Sequence, residues 1–68
     1  MTIYRVKRIN LTKVKTLDDY WNAVKKANIQ YCNGIKELRE YCVGKLHKQR
    51  NGYSCINGNI EYVVEKVK

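Results

Sequence analysis

The sequence predicts a small α+β domain: an N-terminal strand, two helices and a C-terminal β-hairpin, forming a three-stranded sheet with both helices on one face. Three observations carry that reading. Residues 3 to 9 alternate with period two, two central stretches place apolar residues three and four apart, and Asn57-Gly58 divides a β-branched, aromatic run near the C-terminus.

From Ile3 to Ile9, Tyr4, Val6 and Arg8 fall on one face of a strand and Ile3, Arg5, Lys7 and Ile9 on the other. Asn10 to Thr16 reads as a basic connection. Thr16 is placed to cap a helix whose first turn holds Asp18 and Asp19, where negative charge suits the positive end of the helix dipole. Leu17, Tyr20, Trp21, Val24 and Ala27 then form the stripe of an amphipathic helix over about residues 17 to 30. Trp21 is expected to anchor the core from that stripe.

Asn33-Gly34 reads as a stop, because both residues tolerate the left-handed conformation that ends helices. A second helix follows, with Ile35, Leu38, Tyr41, Cys42 and Leu46 on its apolar face and Gly44 as its terminator. Lys45, His47, Lys48 and Arg50 make a second basic connection. Asn51-Gly52 and Asn57-Gly58 are both tight-turn signals, and a hairpin pairing Tyr53 to Ile56 with Asn59 to Val64 fits the second.

A competing reading makes residues 60 to 68 a short helix, since Ile60, Val63, Val64 and Val67 also sit at helical spacing. That alternative gives a winged helix. The hairpin is preferred because the first strand needs a partner. From Ile35 on, Gly44-Lys45-Leu46 and Asn51-Gly52-Tyr53 faintly resemble the winged-helix end of MerR-type regulators and phage excisionases, over about the last half of the chain. That likeness implies DNA binding and a helical C-terminus. Two helices about Asn33-Gly34 are also similar to a helix-turn-helix, in which Lys36, Arg39 and Glu40 would face DNA. A ribbon-helix-helix arrangement would instead present Arg5 and Lys7 from a first strand paired with a second chain, giving a homodimer.

Charge sets the function class. The 68 residues hold 14 Lys/Arg against 6 Asp/Glu, a net +8 that divides into +5 over residues 1 to 16, zero over 17 to 44 and +3 over 45 to 68. A chain this short, read as one domain over residues 1 to 68, buries only about 60% of the surface its unfolded form exposes. That leaves little room for an enzyme's pocket and favours a module that binds a polyanion. The candidate nucleic-acid-binding residues are Arg5, Lys7, Arg8, Lys13, Lys15, Lys45, Lys48 and Arg50, with Tyr4, Tyr31 and Tyr53 available for stacking. The partner expected is nucleic acid, duplex DNA first. The alternative is an acidic protein surface, the chain then modulating a host enzyme without touching nucleic acid.

The remaining chemistry is sparse. Cys32, Cys42 and Cys55 with His47 are four potential zinc ligands, but gaps of 10 and 13 between the cysteines do not match the close pairs of structural zinc sites, and no metal or cofactor is expected. A nucleophile drawn from Cys42 or Cys55 with His47 lacks a third orienting group, so no catalytic residue is assigned. An odd cysteine count, no apolar run of membrane-spanning length and no signal-like start imply a cytoplasmic protein without membrane contact. Ten Lys, seven Asn, six Ile and six Tyr against two Ala and no Pro suggest AT-rich coding, as in a phage or plasmid of a low-GC bacterium.

Overall fold

The computed structural model describes residues 2–68. The alternating run forms β1 (Ile3–Asn10), and a loop leads to α1 (Leu17–Lys25). Thr16 starts that helix with a capping box. Its Oγ1 accepts the Asp19 backbone N–H at 3.2 Å, and Asp19 Oδ2 accepts the Thr16 N–H at 3.2 Å, so two groups at the helix start are satisfied reciprocally.

The helix stops five residues short of its expected end, and Asn28–Asn33 forms a strand, β2. Gly34, at φ +82°, turns the chain directly from that strand into α2 (Gly34–Tyr41). Asn33-Gly34 therefore starts the second helix rather than ending the first; Gly supplies a backbone geometry that a Cβ would strain. Next come β3 (His47–Gln49), β4 (Gly52–Asn57) and β5 (Ile60–Lys66).

All pairings are antiparallel, in the order β2-β1-β5-β4-β3. The hairpin forms and lies beside β1, as expected. Its turn is shifted by one residue: Asn57 pairs with Ile60, leaving Gly58 and Asn59 in the loop, and Gly58 at φ +61° takes the first loop position, where a type II′ turn requires Gly.

The class is α+β, but two finer expectations fail, the three-stranded sheet and the shared helix face, and so does the winged-helix alternative. The sheet has five strands rather than three, because residues 28–33 add to β1 and residues 47–49 add to β4. Residues 60–66 pair along β1 and β4 as a strand, so the C-terminal helix that a winged helix needs does not form. The two helices do not share a face, nor are they adjacent in the chain as a helix-turn-helix requires.

The register shows why. Tyr4 and Val6 share a face with Cys32, Cys55, Tyr62 and Val64, and α2 covers that face with Leu38 and Cys42 to make the core cluster. Val6 and Leu38 are fully buried, and burying a side chain of that size contributes about 1.5–3 kcal/mol. Ile9 is buried too, but points the other way, sharing its face with Glu61. The Tyr20 hydroxyl of α1 donates to Glu61 Oε1 at 2.8 Å, which places α1 on that second face.

α1 buries no residue. Trp21 is 54% exposed and Leu17 70%, so Trp21 is a surface residue packed edge-on against Tyr20, not a core anchor. Away from α1 the second face is open, displaying Ile29, Tyr31, Ile56 and Val63. At the far end of β4, Gly52 runs so close to β5 that a Cβ there would sit 2.0 Å from the Val64 carbonyl oxygen. Among the described residues, no helix is long and apolar enough to cross a membrane.

Candidate nucleic-acid interface

The eight basic residues singled out from the sequence do not converge on one surface. Arg5 and Lys7 lie on the open face, where Arg5 is ion-paired with Glu65, its cross-strand neighbour on β5. Arg8 and Lys48 belong by register to the opposite, α2-bearing face. Lys15 sits at the start of the capping box, with its backbone N–H donating to Asp19. Lys45 is exposed between α2 and β3.

Two groups of cations remain without acidic partners among the described salt bridges, one at each end of β1. The first lines an open cleft of about 620 Å³ between α1, the β1–α1 loop and the ends of β1 and β2. Arg8, Lys13 and Lys26 are its cations, with Asn10, Asn22 and Asn28 among its polar groups. Its single acid, Asp19, already accepts the Lys15 and Thr16 N–H groups.

The second cleft, about 350 Å³, brings Lys48, Arg50 and Lys66 together with Tyr4 and Tyr53 and contains no acid. The two tyrosine rings meet edge to face at 5.9 Å. Burial, then the neighbouring Tyr53, pushes the Tyr4 hydroxyl above its ordinary value, so it stays neutral beside the cations at physiological pH.

Lys26 and Lys66 were absent from the sequence reading. Lys26 belongs to the neutral middle of the chain, where acids close in sequence mask its charge. Lys66 becomes a site residue only because the β1–β5 register sets it opposite Tyr4. Of the original eight, the clefts collect Arg8, Lys13, Lys48 and Arg50.

The thiols take no part in these clefts. Cys32, Cys42 and Cys55 all pack in the core cluster. Burial, with Cys32 and Cys55 nearby, pushes the Cys42 thiol up to about 11. Cys55 Sγ donates to the Val43 carbonyl at 3.2 Å. His47 projects from the face opposite Cys55. Among the described residues, no group of three His, Cys, Asp or Glu is placed to hold a metal ion.

Comparison of the chain with protein-family models, with curated proteins and with solved structures finds no match in any of the three.

Proposed function

We propose that this chain is a nucleic-acid-binding protein, not an enzyme, and that it holds phosphates in the two cation clefts at the ends of β1. The observation that carries this reading is the pairing of Arg8, Lys13 and Lys26 in one cleft with Lys48, Arg50 and Lys66 in the other. Three cations gathered without a free carboxylate raise one another's energy. A phosphate backbone relieves that repulsion and releases its own counterions on binding. Lys36 and Arg39 of α2 are exposed and add two further cations. Duplex DNA is the first candidate, and a regulatory or accessory role in a phage or plasmid fits the composition.

Following Trp21 fluorescence while titrating duplex DNA, single-stranded DNA and RNA tests this. Six phosphate contacts predict a log–log salt slope of about −5 and an affinity loss of ~10³-fold between 50 and 200 mM salt. Absence of binding at 50 mM salt defeats the proposal.

A second reading, a modulator that docks on an acidic protein, is favoured by one separate observation. The open sheet face shows Ile29, Tyr31, Ile56 and Val63 beside Arg5 and Lys7, a mixture of apolar and basic groups suited to a protein surface. Salt-insensitive binding to one protein, without nucleic-acid affinity, supports this second reading over the first.

A further inference from the structure

We infer that two copies of this chain join through their β2 strands, continuing the five-stranded sheet into a ten-stranded one. This rests on the sheet edge and is independent of the nucleic-acid reading.

A homodimer through the first strand, the arrangement the ribbon-helix-helix comparison implies, is blocked because β1 is hydrogen-bonded on both sides, to β2 and β5. The free edges are β2 and β3. They differ in two of the features by which sheet edges are protected from pairing, length and charge. β3 is three residues long and contains Lys48, with Lys45 and Arg50 close by in the chain. β2 is six residues long, Asn-Ile-Gln-Tyr-Cys-Asn, and lies in a stretch from Ala27 to Ile35 with no charge and no Pro.

The hydrogen-bond phase identifies the free groups. The Gly34 N–H donates to the Thr2 carbonyl at 2.8 Å, and Gly34 and Thr2 continue the β1–β2 register. In an antiparallel pair, bonded positions alternate. Asn28, Gln30 and Cys32 therefore turn their peptide groups toward β1, while Ile29 and Tyr31 turn theirs outward. Ile3, on the same β1 phase as Arg5 and Lys7, bonds the β5 side, its carbonyl accepting from Val67 at 2.8 Å, in agreement with that assignment. The Gln30 side chain donates to the outward Tyr31 carbonyl at 3.2 Å, leaving that oxygen a second lone pair.

The occupant is a second copy because the strand is complementary to itself. An antiparallel pairing with its two-fold axis at Gln30 sets Ile29 opposite Tyr31 of the second copy, and Tyr31 opposite Ile29 of the second copy, with the outward peptide groups bonded to each other. Aromatic and β-branched residues make favourable cross-strand pairs. Ile29 and Tyr31 are 54% and 55% exposed in the single chain, so both gain burial.

Charge permits the approach. In this register the nearest cations across the axis in the same row, Lys7 and Arg5 of the second copy, are three strand spacings apart. That is ~14 Å, beyond the screening length of ~8 Å at physiological ionic strength. The helix permits it as well. α2 packs on the core face of the sheet, over β2 and β1, whereas the outward peptide groups of β2 lie in the plane of the sheet. The paired sheet would carry both open faces on one side and both α2 helices on the other.

Sedimentation of the chain at 10 to 500 µM in 150 mM salt, with circular dichroism of every variant, tests the inference. The expected mass at the upper concentrations is about 16 kDa, twice the 8.1 kDa chain. The double substitution Ile29→Lys with Tyr31→Lys should leave the fold intact, because both side chains are exposed, and weaken association by ~30-fold or more by putting like charges opposite each other. A second variant, Gln30→Cys, places two thiols across the axis at a non-hydrogen-bonded pair, where Cα atoms are about 4.5 Å apart, within disulfide reach. Mild oxidation should cross-link it, while Asn33→Cys should not. A wild-type chain that remains at 8.1 kDa at 500 µM overturns the inference. So does a dimer that the double substitution leaves equally tight, or one that Gln30→Cys fails to trap.

Discussion

The two helices have similar sequence patterns and opposite fates. α1 carries Leu17, Tyr20, Trp21 and Val24 at helical spacing, and α2 carries Ile35, Leu38 and Tyr41 in the same way. Only α2 delivers a side chain to the core, Leu38, fully buried among Tyr4, Val6, Cys32, Tyr62 and Val64. α1 is held by its capping box and by the Tyr20–Glu61 hydrogen bond at the Ile9 end of the other face. Amphipathic spacing states which side of a helix is apolar. Whether that side meets a core depends on which sheet face the connections deliver it to, and a chain of this size has core for only one face.

Stability measurements sharpen this contrast, beginning with the largest effect. Leu38→Ala should cost about 2–5 kcal/mol in denaturant unfolding, since it empties the centre of the one core. Leu17→Ala in α1 should stay within about 0.5 kcal/mol; a loss comparable to that of Leu38→Ala would show that α1 is buried after all. Gly52→Ala should cost on the order of 1–3 kcal/mol by forcing β4 away from the Val64 carbonyl on the core-bearing part of the sheet. Thr16→Ala, which removes half the capping box, should cost about 1 kcal/mol, with the loss of helicity confined to α1.

Alkaline pH probes the core in another way. All three thiols belong to the α2-side core, and Cys42 is raised to about 11. The unfolded chain releases the Cys42 proton first, near the ordinary thiol value of 9.0. Between about pH 9 and 11 the folded state therefore holds more protons than the unfolded one, and stability should fall across that window while being flat just below it. Cys42→Ala should lessen the decline and leave the share of Cys32, Tyr4, Tyr20 and Tyr41, which burial also raises; equilibrium unfolding followed from pH 7 to 11 would read it out.

The sequence pattern was most informative where local and long-range preferences agree. Period two over Ile3 to Ile9 predicted both the strand and the faces its residues occupy. Thr16 with Asp19 marked the start of α1, and Gly58 marked the hairpin. β2 was hidden because Ala27 continues the stripe of α1 while Ile29 and Tyr31 supply only two alternating apolar positions. Pairing with β1, a contact between distant segments, decides in favour of the strand. The same holds for the clefts. Lys13, Lys48 and Arg50 stand out in charged connections, and Arg8 in the basic strand. Lys66 stands next to Tyr4 only once β1 and β5 are in register, and Lys26 acquires its cleft from the way α1 turns into β2. Arg5, conspicuous in the sequence, is diverted to Glu65.

If the two clefts bind phosphate, their cations and those of the open face must differ in their effect on nucleic-acid affinity. The decisive measurement is the salt slope of duplex DNA binding for three chains: wild type, a cleft variant with Lys48, Arg50 and Lys66 each changed to Gln, and an open-face variant with Arg5→Gln and Lys7→Gln. The account predicts that the cleft variant loses about 2.7 from the magnitude of the slope, three contacts at ~0.9 each, and that the open-face variant keeps the wild-type slope within about 0.9. An unchanged slope in the cleft variant, or the larger loss in the open-face variant, would contradict it.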